Sequence, residues 1–131
     1  MIKDELMQYL NKNSLINKQQ HGFVNNKACN TNLLETIDLL TKLLADKESF
    51  DLLLLDFAKA FDVVSHQRLL IKLEAYGING NLLQWLKAFL KNRRQRVVLG
   101  DNFSNWVEVI SGVIQGSSLG PVLFIIYKRS R

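Results

Sequence analysis

The spacing of apolar residues predicts an amphipathic helix in the first half of the chain. From Asn30 or Thr31, apolar side chains recur with the 3.6-residue period of a helix, at Leu33, Leu34, Ile37, Leu40, Leu43 and Leu44. Asn30 is the preferred N-cap, because Thr31 is followed by Leu34 and not by the acidic or amide partner of a capping box. Residues 1–20 are polar and show only a weak helical pattern, at Leu6, Met7 and Leu10.

Two further helices are predicted between residues 65 and 90. The first is expected to run from a Ser65 cap to Tyr76 and to end at Gly77, since glycine readily adopts the left-handed conformation after a last helical turn. The second is expected to run from residue 79 or 81 to residue 90. Its inner side would carry Leu82, Leu83, Trp85, Leu86 and Phe89.

Two stretches carry strand signals. The continuous apolar run 50–57 favours a strand buried on both faces, although its leucines also allow a helix. Residues 96–99 and 106–110 are β-branched runs on either side of a loop that contains Gly100, and together they predict a β-hairpin.

A last helix is predicted over 119–127, with Pro121 near its first turn. Helices and strands interleave without regular βαβ alternation, so the predicted fold class is α+β.

Composition narrows the class of protein. A chain of 131 residues that is 47% hydrophobic and 22% charged is typical of one globular domain and not of a disordered segment. No apolar run reaches the roughly 18 residues that a membrane span needs. The single cysteine, Cys29, cannot form an internal disulfide, and no targeting signal is present, so an intracellular protein is expected. The net charge of +5 is compatible with a polyanionic partner but does not require one.

The first stretch with candidate chemistry is LLLLDFAKAFD at 52–62. Asp56, at the end of a buried strand, would be well placed to hold Mg²⁺, which prefers hard oxygen ligands. Phe61 would form the floor of a nucleotide pocket. A turn-capping role for Asp56 and a core position for Phe61 explain the same residues, so the spacing by itself leaves both interpretations open.

The second stretch is SGVIQGSSLGP at 111–121. Its small residues allow the backbone to approach a ligand closely, and Gln115 offers both a hydrogen-bond donor and an acceptor. An ordinary turn between a strand and a helix explains the same pattern. Taken alone, this stretch therefore does not identify a function.

Taken together and in order, the two stretches resemble motifs A and B of reverse transcriptases, and most closely those of non-LTR (LINE- or jockey-like) retrotransposons. Further stretches that fit the same family are QHGF at 20–23, SHQRLL at 65–70, YGI at 76–78 and NRRQRV at 92–97. The resemblance covers nearly all of residues 20–127. It implies a single partial fingers-and-palm domain, with a poorly defined segment at 1–19, a fingers-like part at 20–49 and a palm-like part with an incomplete antiparallel sheet at 50–127.

The resemblance also implies an activity and a set of site residues. The family performs RNA-directed DNA polymerisation, in which two Mg²⁺ ions assist the transfer of a dNTP to a primer. Asp56 would be the catalytic carboxylate and a metal ligand, and Phe57 would bind metal through its backbone carbonyl. Phe61 would exclude a ribose 2′-hydroxyl, and Gln115 and Gly116 would line the nucleotide site.

Departures from the family pattern bear on activity. Lys27 stands where relatives carry an arginine that faces the triphosphate, and lysine keeps the charge but not the bidentate geometry. Ile114 replaces a proline, and Asp62 belongs to the family pattern with an expected structural role. Relatives continue towards motif C and its Asp-Asp pair, whereas this chain has KRSR at 128–131 and no Asp-Asp pair. A truncated, inactive nucleotidyltransferase fragment of a transposable element is therefore expected, with Mg²⁺ bound in complete relatives.

A basic cluster consists of Lys87, Lys91, Arg93, Arg94 and Arg96. Contact with template or primer phosphates would make binding salt-dependent, whereas cations at a helix end also suit the helix dipole. The alternative function is a non-catalytic nucleic-acid-binding remnant that uses this cluster, and a helix-turn-helix module at 65–92 is a third. The expected partners are an RNA template, a DNA primer and dNTP, with no membrane. The oligomeric state is unassigned, and retroelement behaviour suggests the nucleus.

Four other polar or aromatic residues are given structural roles. His21 and His66 are expected to be hydrogen-bonded, because neither has a metal-ligand partner at helical spacing. Trp85 and Trp106 are interpreted as packing positions and not as platforms on which bases stack.

Overall fold

The described part of the chain has an α+β fold, which confirms the predicted class. The computed structural model describes residues 1–129 and contains within them five helices and four strands. The helices are α1 (Ile2–Lys12), α2 (Cys29–Ala45), α3 (His66–Ala75), α4 (Gly80–Leu90) and α5 (Gly120–Lys128). The strands are β1 (Arg94–Gln95), β2 (Val98–Leu99), β3 (Asn102–Phe103) and β4 (Val107–Glu108).

The chain divides into two compact units. Met1–Leu15 and Lys59–Arg131 form the larger unit, and Ile16–Ala58 forms the smaller unit. The larger unit contains α1, α3, α4, α5 and the four strands, and the smaller unit contains α2. Along residues 1–129, none of the helices has both the length and the hydropathy that crossing a membrane requires.

The core of the larger unit is made by one apolar stripe from each of its helices. Apolar residues three or four positions apart lie on one face of a helix, and their burial drives the packing. Helix α3 packs against α4 and α5. The Tyr9 hydroxyl on α1 donates to the Tyr76 carbonyl at the end of α3 (2.9 Å). The buried apolar side chains on these helices are Leu6, Met7, Leu10, Leu69, Leu73, Leu86, Leu90, Val122, Leu123, Ile125 and Ile126.

Both ends of α3 confirm the prediction. At the start, the Ser65 hydroxyl accepts a hydrogen bond from the Arg68 N–H (3.4 Å). At the end, Gly77 adopts a φ of +82°, and the Ile78 N–H donates to the Leu73 carbonyl (3.0 Å). This is the Schellman arrangement, in which a left-handed residue directly after the helix lets the chain turn back on the last carbonyls.

Helices α4 and α5 lie where the sequence predicts them, but α4 buries a narrower face. Pro121 lies in the first turn of α5, as expected. On α4, Leu86 and Leu90 are buried, whereas Leu82 is 36% exposed and Trp85 is 43% exposed. Helical periodicity predicts which side turns inward, but the tertiary contacts decide how wide the buried stripe becomes.

The predicted hairpin forms, but its predicted pairing is wrong. Strand β2 pairs with β3 in antiparallel register, with Val98 opposite Phe103, and β1 pairs with β4, with Arg94 opposite Glu108. The chain reverses directly after β2 because Gly100 adopts a φ of +57°, a conformation that suits a two-residue hairpin turn. Val98 and Leu99 therefore pair with Phe103 and Asn102, which the sequence analysis assigned to the loop between the two predicted strands.

Helix α2 confirms the predicted amphipathic helix but begins earlier than expected. Its N-cap is Ala28 and not Asn30. The Thr31 hydroxyl replaces the missing cap side chain, because it accepts from the Ala28 N–H (3.0 Å) and donates to the Ala28 carbonyl (2.8 Å). None of the residues of α2 is buried, so its apolar stripe is exposed.

The predicted buried strand at 50–57 is wrong. These residues form neither helix nor strand, and the four leucines at 52–55 are between 55% and 84% exposed. A strand exists only when its backbone groups pair with a neighbouring strand, and the smaller unit contains none. The apolar run has the composition of a buried strand, but it has no neighbouring strand in the smaller unit to pair with.

Candidate functional site

The two candidate stretches meet in the larger unit at what we call the A–B junction, residues 61–65 and 111–115. The Gly112 N–H donates to the Val64 carbonyl (2.8 Å). The Val113 N–H donates to the Phe61 carbonyl (3.0 Å). These two backbone hydrogen bonds place the end of the first stretch alongside the start of the second.

Gly112 is the point of closest approach in the junction. Its φ is +87°, a conformation that side chains rarely adopt. A Cβ atom there would lie 3.1 Å from the Asp62 Cα and 3.1 Å from the Asp62 carbonyl oxygen. Glycine therefore serves both the backbone conformation and the contact between the two segments.

Asp62 links the two segments through its backbone and its side chain. The Ser111 hydroxyl donates to the Asp62 carbonyl (2.8 Å), and the Gln115 Nε2 donates to Asp62 Oδ1 (3.2 Å). With its amide nitrogen directed at this carboxylate, Gln115 has its carbonyl oxygen left to accept from a ligand. These contacts support the structural role predicted for Asp62.

Phe61 packs against the last helix of the larger unit. Its ring stacks on the ring of Phe124 on α5, with centroids 4.9 Å apart and an angle of 29° between the planes. An offset stack of this kind fixes the position of both rings. Phe61 is partly buried, so a bulky side chain is held at the junction beside Asp62.

Arg93 and His66 hold the junction from the side of α3 and α4. The Arg93 Nη2 and the His66 Nε2 both donate to the Gly112 carbonyl, each at 2.8 Å. The Arg93 Nε also donates to the Leu90 carbonyl at the end of α4 (2.9 Å). Burial lowers the pKa of Arg93 from its usual value, although a guanidinium keeps its proton in proteins. The sequence predicts that Arg93 contacts nucleic acid. In the structure, its hydrogen-bond donors instead contact backbone carbonyls of the protein.

A cavity of about 560 Å³ opens beside the junction. Its lining combines two cations, two carboxylates and two amides, so it offers both donors and acceptors to a polar ligand. These residues are Lys59, Arg93, Asp62, Glu108, Gln95 and Gln115.

The other four members of the basic cluster are exposed. Lys87 lies on α4, and Lys91, Arg94 and Arg96 follow it. In the described part of the chain, none of the four forms an ion pair with a carboxylate. Their charges are therefore available to an external anion, in contrast to that of Arg93.

Gly116 follows the junction in the larger unit, where it is exposed with a φ of +78°, and the other candidate residues lie in the smaller unit. The Lys27 ammonium donates to the Lys18 carbonyl. Asp56 is exposed, and its Oδ1 accepts from the Phe57 N–H (2.8 Å), while the Phe57 side chain is 68% exposed. His21 contacts Thr31 (2.9 Å) and Glu35 (3.0 Å), in agreement with its predicted structural role.

The metal ligands present do not fit a two-ion polymerase centre. Such a centre needs several hard oxygen ligands around two closely spaced ions. Within residues 1–129, no group of three or more His, Cys, Asp or Glu side chains is placed to hold a metal ion. Asp56 supplies one carboxylate, and the Phe57 carbonyl supplies one further oxygen.

Sequence reasoning missed the inward role of Arg93 and the contribution of Lys59 and Glu108 to the cavity. For Arg93 a signal exists, because it lies three residues after the end of α4, where a cation suits the unpaired carbonyls. Lys59 and Glu108 have no such local signal. They line one cavity only because the pairing of β1 with β4 and the junction bring distant segments together.

Comparison with known proteins finds one matching family and several similar proteins. A family profile described as "Reverse transcriptase (RNA-dependent DNA polymerase)" matches residues 1–129. A "Retrovirus-related Pol polyprotein from type-1 retrotransposable element R2" of Popillia japonica is 33% identical over 79 residues, or 60% of this chain. The "RNA-directed DNA polymerase from mobile element jockey" of Drosophila funebris is 32% identical over 112 residues, or 86% of this chain. No solved structure matches.

The chain is much shorter than these relatives. It covers 13% of the R2 polyprotein and 12% of the jockey polymerase. A "Probable RNA-directed DNA polymerase from transposon BS" of Drosophila melanogaster is 28% identical over 137 residues, and the match covers 97% of this chain but 14% of that protein.

Proposed function

We propose a function for this chain from one premise: the chain belongs to the reverse transcriptase family, in its non-LTR retrotransposon branch. The chain is the part of an RNA-directed DNA polymerase that carries motifs A and B and holds the incoming dNTP. The observation that carries this proposal is the A–B junction. There Phe61 and Asp62 share one hydrogen-bonded and stacked arrangement with Gln115, which lies 53 positions after Asp62.

Phe61 and Gln115 have roles that their junction contacts support, and Gly116 directly follows the junction. The Phe61 ring, held by Phe124, is the group that excludes a ribose 2′-hydroxyl and thereby selects dNTP over NTP. Gln115 presents its carbonyl oxygen to the nucleotide, because Asp62 accepts from its amide nitrogen. Gly116, exposed and with a φ of +78°, lets the backbone approach the same ligand.

Three residues of the smaller unit match positions of the family motifs. Asp56 and the Phe57 carbonyl match the motif A metal ligands and would contribute two oxygens in a complete polymerase. Lys27 matches the arginine that faces the triphosphate in relatives, and as a point charge it lacks the bidentate geometry of arginine. Lys87, Lys91, Arg94 and Arg96 bind template or primer phosphates, and the exposure of these four cations supports that assignment.

The 131-residue chain by itself does not polymerise DNA. A polymerase centre needs carboxylates beyond Asp56, and the sequence contains no Asp-Asp pair to supply them. The test is Mg²⁺-dependent primer extension on a primed RNA template, with the 131-residue chain beside its Asp56→Ala variant. Neither protein should extend the primer. Extension by the chain that disappears in the variant would contradict this part of the proposal.

A direct test of the nucleotide site compares dNTP with NTP. Binding of each to the chain is measured by equilibrium dialysis in the presence of primer and template. Phe61→Ala should raise the affinity for NTP relative to dNTP, because the ring no longer blocks the 2′-hydroxyl. Phe89→Ala is the matched control, since Phe89 is also partly buried and stacked on another ring, that of Trp85, but lies on α4 outside the junction. An unchanged preference in Phe61→Ala would contradict the role of Phe61.

The second candidate function is a non-catalytic nucleic-acid-binding remnant. The observation that favours it is the set of four cations without ion pairs in the described part of the chain. Charge reversal at Lys87 and Arg94 should abolish salt-sensitive RNA binding, whereas Asp56→Ala should leave it intact. If these results are obtained and no nucleotide binds, the remnant function replaces the first proposal.

A further inference from the structure

The 94–108 hairpin, defined as residues 94 to 108, carries a stacked group that the proposed nucleotide site does not use. The guanidinium of Arg96 lies over the ring of Phe103, with its Cζ 4.3 Å from the ring centroid. The same Cζ lies 4.7 Å from the ring centroid of Trp106. Phe103 is 57% exposed and Trp106 is 52% exposed, so both rings present further surface to solvent.

The backbone around this stack is ordered by hydrogen bonds. The Val97 N–H donates to the Ser104 hydroxyl (2.9 Å), and the Ser104 N–H donates to the Val97 carbonyl (3.0 Å). The pairing of Val98 with Phe103 continues this ladder into β2 and β3. Arg96 and both rings are therefore attached to a framework that holds them in place without a ligand.

Exposed cations lie near the stack. Arg94 is on the same hairpin, and Lys91 lies three residues before it, after the end of α4; the hairpin also contains two carboxylates, Asp101 and Glu108. An exposed aromatic pair beside several cations is the combination that binds single strands, in which phosphates contact the cations and unpaired bases stack on the rings. Duplexes stack their bases internally and offer such a surface only phosphates.

We propose that the 94–108 hairpin binds single-stranded nucleic acid, with bases stacked on the exposed faces of Phe103 and Trp106 and phosphates held by Arg94, Arg96 and Lys91. The proposal rests on the nucleic-acid role proposed above and deepens it, since it names the strand state and the groups that distinguish it. It also assigns Trp106 a ligand-binding role, where the sequence alone favoured packing.

Trp106 supplies a direct reporter of stacking. The sequence contains two tryptophans, so Trp85→Phe leaves Trp106 as the only one. Titration of this variant with a single-stranded oligonucleotide should quench its fluorescence, because a stacked base deactivates the indole. The duplex of the same sequence should bind without comparable quenching. Single-stranded RNA and DNA arms show whether the 2′-hydroxyl matters.

Variants separate stacking from charge. Phe103→Leu and Trp106→Leu keep an apolar side chain but remove the ring, and each should weaken single-strand binding about 5- to 100-fold. The dependence of affinity on salt should not change, because no cation is lost. Trp85→Leu is the matched control, since Trp85 is also half exposed but stacks on Phe89 away from the hairpin, and it should bind normally. Circular dichroism of each variant checks that it folds.

The outcomes distinguish this inference from the proposed function. If Phe103→Leu and Trp106→Leu bind single strands normally and Trp106 is not quenched, the stacking surface is wrong, while loss of binding on charge reversal at Lys87 still supports the proposed function. If the unmodified chain binds no nucleic acid, both fail. If the two leucine variants instead dissociate a dimer in sedimentation experiments, a second copy of the chain covers the hairpin, and the inference is overturned.

Discussion

The two compact units use similar apolar patterns with opposite results. In the larger unit, the stripes of α1, α3, α4 and α5 are buried, and Leu69, Leu73 and Leu123 have no exposed surface. In the smaller unit, α2 has no buried residue, and the leucines at 52–55 are between 55% and 84% exposed. An apolar pattern therefore predicts burial only where another element is available to cover it.

The same contrast separates the candidate residues. Several of those in the larger unit are held by residues distant in sequence: Gln115 by Asp62, Phe61 by Phe124, and Arg93 by the Gly112 carbonyl. Asp56 in the smaller unit has one local hydrogen bond, to the N–H of the next residue. Four substitution pairs test how far this difference extends.

The largest expected effect compares a leucine from each unit. Leu73→Ala removes a fully buried side chain and should lower the free energy of unfolding by about 2 to 5 kcal/mol. Leu54→Ala should change it by less than about 0.5 kcal/mol, because Leu54 is 81% exposed. Urea denaturation followed by circular dichroism measures both. Equal losses in the two variants would mean that Leu54 is buried in solution.

The next effect compares two glycines with positive φ in the same stretch. Gly112→Ala should cost about 2 to 3 kcal/mol, since strain at a φ of +87° adds to a Cβ contact of 3.1 Å with Asp62. Gly116→Ala should cost about 1 kcal/mol, because its φ is +78° but nothing lies within 4 Å of its Cβ position. The same denaturation experiment checks the difference. A smaller loss at Gly112 would show that the junction is loosely packed.

Arg93 and Arg94 are neighbours in sequence with different expected roles. Arg93→Gln should lower stability by about 1 to 3 kcal/mol, because it weakens the charged hydrogen bonds to the Gly112 and Leu90 carbonyls. Arg94→Gln should leave stability unchanged but reduce the slope of log affinity against log salt by about 0.7 for a single strand. Denaturation and a salt series with labelled RNA separate the two. If Arg93→Gln instead changes the salt dependence and leaves stability unchanged, Arg93 turns outward to bind phosphate.

The smallest effect concerns the Asp62–Gln115 contact. Asp62→Asn should lower stability by less than about 1 kcal/mol, because the two side chains are exposed and their hydrogen bond is 3.2 Å long. It should nevertheless weaken dNTP binding, since an asparagine amide can either accept from or donate to Gln115 and therefore no longer fixes the Gln115 oxygen towards the ligand. Gln115→Glu is the complementary change, and like charges should then separate the pair. Unchanged dNTP affinity in both variants would contradict the positioning role of Asp62.

The family could be predicted because its motifs are local in sequence. The stretches around Asp56 and Gln115 identify the family, and the comparisons confirm it. Local motifs do not predict whether a given side chain points towards the protein or towards solvent. Arg93 and Arg94 have the same chemistry, yet only Arg93 reaches the Gly112 carbonyl, which is nineteen positions away. No local pattern distinguishes the two.

The sequence by itself determined the features that depend on neighbouring residues. Ser65 and Gly77 delimit α3, Pro121 begins α5, and the apolar periodicity places α2 and α4, because capping, φ preference and helical period act over a few residues. The family and the α+β class followed from motifs and element types of the same kind.

Only the tertiary structure decided the features that need a partner from elsewhere in the chain. The run at 50–57 remains unpaired in the smaller unit, β2 pairs with β3 across a two-residue turn, and the A–B junction joins Asp62 to Gln115. Strand pairing, burial and cavity lining depend on which surfaces meet. The residues on one side of such a contact do not by themselves specify the residues on the other side.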